Sequence, residues 1–142
     1  MYYLSDAADD YARALEASEN DALPLESARP LSGETQIIVW DLIHTANRAD
    51  SRNLAEAVCD GLKSARVPSL DRGVKTARFA VLKGSRMPAV LVEVGFISNP
   101  LEGKRLDSPD YRQQLADGIH HGIGVYTAKR EYRWAKSNEP AR

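Results

Sequence analysis

Residues 87–99, Met-Pro-Ala-Val-Leu-Val-Glu-Val-Gly-Phe-Ile-Ser-Asn, constrain this chain more than any other stretch. Pro88 can open a strand but has no amide with which to sit in the middle of a paired one. Residues 89–94 then form a nearly unbroken apolar run, the pattern of a central strand covered on both faces. One carboxylate, Glu93, interrupts it. A buried, unpaired carboxylate is costly, so Glu93 must be neutralised, paired, placed beside a metal or exposed at the strand's end. Gly95 permits a sharp exit two residues later and favours the last choice. A glutamate at the mouth of a strand stands where ligands sit in open α/β sheets.

The chain of 142 residues is the size of one domain, and 43% hydrophobic content is enough for a real core. A net charge of −1 gives no electrostatic footprint for nucleic acid. Cys59 is the single cysteine, which excludes a disulfide framework and a cysteine-based zinc site within these residues. No apolar stretch approaches the length of a membrane span, and no signal peptide is visible at the start.

Tyr2-Tyr3-Leu4 reads as a short strand already in progress. Ser5-Asp6 is expected to cap a helix running to Asn20, with Ala8, Tyr11, Ala12 and Leu15 as its apolar stripe. Residues 21–33 carry Pro24, Pro30 and Gly33, so a loop, lid or regulatory segment is expected. Residues 34–65 have helical periodicity. Their apolar face drifts, which indicates either a long helix that changes neighbours or a break near Asp50, with Ser51 capping a second segment. Pro68 stops it. Residues 70–77 form a polar loop turning at Gly73, and residues 79–82 are expected to be the next strand. Asn99-Pro100-Leu101-Glu102 is a capping box with proline at the first helical position. Ser108-Pro109 opens a further helix with Tyr111, Leu115, Ile119, Ile123 and Tyr126 at helical spacing. Gly118 and Gly122 on its flank would permit close packing. Residues 129–142 form a charged tail expected to fray.

Glu93 is the strongest candidate for chemistry, although a structural ion pair with Arg72, Lys75, Arg78 or Lys83 would also bury a carboxylate. Arg72 and Lys75 are either a solvated pair or a substrate-facing pair suited to an anionic ligand such as a peptide carboxylate. His44 reads as a helix-surface or core-edge residue. His120 and His121 are adjacent, so on a helix they diverge and cannot share a metal as a pair one turn apart would. No metal site is complete in sequence signals, and neither a nucleophile elbow nor a phosphate loop is present.

Three segments in series resemble a known family: Asp71-Arg72-Gly73-Val74-Lys75, Phe79-Ala80-Val81-Leu82-Lys83, and residues 87–99 with their Glu-x-Gly-Phe-x-Ser-Asn ending. They resemble the C-terminal half of the zinc-dependent N-acetylmuramoyl-L-alanine amidases, bacterial cell-wall hydrolases of the amidase-3 type. Tyr2-Tyr3-Leu4-Ser5, Trp40-Asp41-Leu42, residues 51–55 and residues 106–126 extend the likeness over nearly the whole chain to Tyr126. The resemblance implies an α/β fold, a twisted, mostly parallel sheet flanked by helices. It implies hydrolysis of the amide between N-acetylmuramic acid and the L-alanine of the stem peptide, with zinc polarising the carbonyl and a glutamate as general base. Glu93 falls on the family's catalytic glutamate.

The family's zinc ligands are a His, a Glu and a second His, and all precede the strand that matches residues 2–4. None of His44, His120 and His121 lies at a matching position. Residues 1–128 therefore read as the C-terminal part of an amidase domain that, as these 142 residues alone, holds no zinc and leaves peptidoglycan uncut. The resemblance further implies an envelope location, periplasmic or extracellular, and a possible activator protein that withdraws residues 21–33, where Glu26 or Glu34 could reach a metal. The competing reading is a non-catalytic amidase-like protein that binds or regulates cell-wall components.

Overall fold

The computed structural model describes residues 1–6, 9–21, 34–67, 73–83 and 85–139, with residues 34–44 and 46 described by their backbone alone. In chain order the elements are β1 (Tyr2–Leu4), α1 (Asp10–Asp21), α2 (Glu34–Ser64), β2 (Lys75–Ala77), a 3-10 turn (Ala80–Leu82), α3 (Pro100–Leu106) and α4 (Pro109–Ser137). The described residues thus form a mixed, helix-rich fold with a short parallel pair of strands among them, β1 beside β2 in the register Tyr2–Lys75, Tyr3–Thr76 and Leu4–Ala77. Residues 22–33 and Pro68 lie outside the described residues, so the expected lid and the proline stop do too.

The described chain divides into two compact units. The first comprises Met1–Ala55 and Val74–Val92. Its core gathers Tyr2, Ala12, Ala77, Phe79 and Leu82, with Leu4, Leu15, Ala89 and Leu91 packed against them. Phe79 is only 1% exposed and meets Tyr2 edge-to-face at 5.1 Å between ring centroids. Truncating a ring so buried costs about 3–5 kcal/mol. Residues 79–82, expected as a strand, instead leave the extended conformation at Ala80, so that Phe79 and Leu82 both enter the core. The strand falls earlier, at Lys75–Ala77 within the expected polar loop. Gly73 does turn there, with φ +66°.

Helix α1 begins later than Ser5-Asp6 indicates. Asp9 is its cap: the Asp9 Oδ1 accepts the Ala12 N–H at 2.8 Å. Asp6 is drawn to β2 instead, its carbonyl accepting from the Thr76 hydroxyl and its carboxylate pairing with Arg78. The C-terminal end of α1 is also tied down. Asn20 donates to the Arg78 carbonyl at 3.1 Å and accepts from the Ala80 N–H at 2.7 Å, while Glu16 accepts from the Arg78 N–H at 2.8 Å.

Helix α2 is continuous through Ser51. Rather than capping a second segment, Ser51 is buried, and its hydroxyl oxygen accepts the Ala89 N–H at 3.1 Å. The helix closes on Arg66 (φ 55°): the Arg66 N–H bonds the Lys63 carbonyl and the Val67 N–H the Leu62 carbonyl, a Schellman ending.

The second unit comprises Glu56–Gly73 and Glu93–Arg142. Leu115, Gly118, Gly122 and Tyr126 are the buried face of α4, so the two glycines belong to the packed stripe, and Ile123 lies off it at 45% exposure. The glycines let α4 touch the backbone of α2: a Cβ added to Gly122 would lie 2.4 Å from the Val58 Cα, and one added to Gly61 would lie 2.2 Å from the Gly118 carbonyl oxygen. Arg112 joins α3 to α4 by donating to the Leu106 and Asp107 carbonyls at 2.7 and 2.9 Å. Residues 129–137 continue α4 as an exposed helix to Ser137. Lys129, Arg130, Glu131, Arg133, Ala135 and Lys136 are strong helix formers that extend a helix already nucleated.

Candidate active site

Residues 85–92 bring the chain to Glu93. The Ser85 hydroxyl donates to the Met87 carbonyl at 2.8 Å, and the Ala89 N–H is held by Ser51. Leu91 then exchanges both backbone hydrogen bonds with Tyr2 at 2.9 Å, an isolated antiparallel bridge on the edge of β1 away from β2. The central strand expected over residues 89–94 is instead irregular chain with one bridge, at Leu91, half-buried throughout rather than covered on both faces. An apolar run specifies extended, buried chain, but a ladder also needs a partner of matching length, and β1 is three residues long. Leu4, Asn47, Arg48, Ser51, Leu82, Ser85, Met87 and Ala89 line an open depression of about 250 Å³, open solvent included.

Glu93 itself is half-buried in the second unit, and the turn after it is tightly specified. Gly95 has φ +146°, a conformation that disfavours any other residue. The Phe96 N–H donates to the Glu102 Oε2 at 2.8 Å, and the Phe96 carbonyl accepts the Asn99 N–H at 3.0 Å. Asn99 caps α3, its Oδ1 accepting from Leu101 and Glu102. Gly103 admits the Ile97 carbonyl, which an added Cβ would meet at 2.8 Å. The Glu-x-Gly-Phe-x-Ser-Asn-Pro-x-Glu-Gly pattern is thus a folding device that fixes the exit from Glu93. A half-buried carboxylate ahead of such a turn can accept a proton from a bound nucleophile.

The two cations fare differently. Arg72 lies outside the described residues. Lys75 stands in β2 with its ammonium 2.7 Å from the Asp9 Oδ2 and 5.3 Å from the centre of the Tyr11 ring. It belongs to the first unit and Glu93 to the second. The Lys75 hydrogen bond, with that from the Ala12 N–H, lowers the Asp9 pKa below the usual carboxylate value. Because the folded-state pKa lies below the unfolded one, the pair stabilises the fold above the unfolded pKa. That contribution is lost as pH falls through the folded value. Melting temperature measured from pH 7 down to pH 2 should therefore fall less steeply in Asp9→Asn than in wild type; parallel curves would contradict the assignment.

Among the described residues the metal-ligating side chains do not assemble a zinc site. His120 and His121 are exposed on α4, about 100° apart around the helix. Among the described residues no three His, Cys, Asp or Glu side chains are grouped to hold a metal ion. The side chain of His44 lies outside the described residues.

A family profile for N-acetylmuramoyl-L-alanine amidases matches residues 9–125. The chain belongs to this family. Over 123 residues the chain is 37% identical to the N-acetylmuramoyl-L-alanine amidase AmiC of Neisseria meningitidis, an alignment covering 84% of this chain and 29% of that protein. It is 38% identical over 117 residues to the N-acetylmuramoyl-L-alanine amidase LytC of Bacillus subtilis, covering 82% of this chain and 21% of LytC. An uncharacterized cell wall amidase of Bacillus anthracis is 44% identical over 92 residues, 65% of this chain and 16% of that protein. The matched part of the chain thus spans less than a third of each of these relatives. Among the described residues, no helix is long and apolar enough to cross a membrane.

Three further residues hold the backbone in ways that sequence reasoning misses. Ser51 and Asn20 act through contacts distant in sequence and carry no local signal. Glu102 does carry one, as the acid of a capping box, but its partner is the Phe96 N–H rather than that of Asn99.

Proposed function

We propose that residues 1–128 form the C-terminal part of a peptidoglycan amidase domain, and that the whole enzyme hydrolyses the amide between the lactyl group of N-acetylmuramic acid and the L-alanine of the stem peptide. The observation that carries this reading is the half-buried Glu93, set ahead of a rigid glycine turn inside a segment matched by the family profile. Glu93 serves as general base: its carboxylate takes a proton from the attacking water and delivers it to the departing alanine nitrogen, so that water and amide become a carboxylic acid and an amine. In the complete domain β1 and β2 are two strands of the twisted, mostly parallel sheet. The ligands of the zinc that the resemblance implies are proposed to lie outside the described residues. Arg72 and Lys75 are the cations proposed to face the stem peptide's carboxylate, Lys75 only by giving up its bond to Asp9. The envelope location derives from the substrate, and an activator acting on residues 21–33 rests on the resemblance alone.

Digestion of purified sacculi by the full-length protein carrying this chain, with mass spectrometry of the products, tests the reaction. The expected products are stem peptides with a free L-alanine amino group and glycan whose lactyl carboxyl groups are freed. Cleavage confined to glycosidic bonds, or no cleavage, would contradict the reading.

A further inference from the structure

We propose that Glu102 is a positioning residue for Glu93, an inference that rests on Glu93 acting as the general base. In a closed capping box the acid at the third helical position bonds the N–H of the capping residue. Here that N–H, from Asn99, is already given to the Phe96 carbonyl at 3.0 Å. The Glu102 carboxylate instead reaches the Phe96 N–H at 2.8 Å. Both backbone polar groups of Phe96 are therefore held by the start of α3.

The same carboxylate packs over the preceding residue. A Cβ on Gly95 would lie 3.3 Å from the Glu102 Oε2 and 3.4 Å from the Leu106 Cδ1. With φ +146° at Gly95 and the Ile97 carbonyl seated on Gly103, residues 95, 96 and 97 are each fixed against α3, whose C-terminal end is held by Arg112 of α4. Glu93 is two residues upstream of that clamp. An extended segment ending in a loose glycine would let its last side chains swing. A clamped one fixes the direction in which the carboxylate is presented, and a displacement of about 1 Å at a reacting group costs on the order of 100-fold in rate.

Reach and charge separate the positioning role from a merely structural one. Glutamine at position 102 keeps an oxygen at the same reach without the charge. Aspartate keeps the charge, which favours a helix N-terminus, and falls one methylene short of Phe96. In the full-length, zinc-loaded enzyme, Glu102→Asp is expected to lower kcat about 10- to 100-fold with KM within about twofold of wild type. Glu102→Gln is expected to stay within about threefold of wild-type kcat. The aspartate variant should keep a wild-type circular dichroism spectrum, so its loss is not one of folding. Wild-type kcat in Glu102→Asp, or a large loss in Glu102→Gln beside an active Glu102→Asp, would overturn the proposal. Glu93→Gln in the same assay distinguishes the two readings. If it is inactive while Glu102→Asp is fully active, positioning alone fails; if it is fully active, the general-base reading fails and takes the positioning role with it.

Discussion

Replacing Gly122 by alanine is expected to destabilise the protein by about 1–3 kcal/mol, the usual cost of overpacking. On propensity alone the change should stabilise a helix by about 1 kcal/mol. Packing reverses the sign. The new Cβ would lie 2.4 Å from the Val58 Cα and 2.6 Å from the Ala57 carbonyl oxygen. Both are backbone atoms of α2, which can yield only if the helices move apart. Gly61→Ala meets the same contact from the other side, at 2.2 Å from the Gly118 oxygen and 2.8 Å from the Gly122 nitrogen. Because the two substitutions disturb one crossing, their effects should not add. Gly124 is the matched control: it lies on the same helix, and an added Cβ meets nothing within 4 Å. Gly124→Ala should therefore stabilise by about 0.5–1 kcal/mol. Urea unfolding of the three variants decides the matter. Equal midpoints for Gly122→Ala and Gly124→Ala would show that the α2–α4 contact is not close-packed.

Features written in local chemistry were legible in the sequence. Asn99 and Ser108, each with proline next in the chain, announce the starts of α3 and α4, because a cap bonds amides two or three residues away. Gly73 and Gly95 announce turns because the backbone there needs positive φ. The small-residue spacing of Gly118 and Gly122 announced a close approach but not its partner, Gly61 on a helix more than fifty residues earlier. Strands were the weak point. Lys75-Thr76-Ala77 is short and polar, and only its distant neighbour β1 makes it a strand. The apolar residues 79–82 fill a core through a turn instead. Ser51 looked like a cap because serine prefers helix starts, yet burial beside the Ala89 amide kept it inside α2. At the candidate site, the glycine exit at Gly95 could be read directly. The hold of Glu102 on Phe96 could not, since a capping box names the acid without saying which amide it finds.

Glu93→Gln is expected to have the largest effect on activity. Glutamine keeps the size and polarity of glutamate and loses the basic oxygen, so the variant should bind substrate and fold as wild type while the proton transfer fails. Loss of a general base lowers kcat by about 10²–10⁴-fold, and because the proton moves in the transition state, KM should change little. The acid limb that a carboxylate base gives the pH–rate profile should disappear with it. Neither a structural ion pair nor a role in wall binding alone produces that combination. The decisive measurement is the single-turnover rate at which the full-length protein carrying this chain, assayed with added zinc, releases L-alanine-terminated peptide from purified sacculi, wild type against Glu93→Gln at matched melting temperature. The account predicts a fall of at least about 100-fold; equal rates would contradict it.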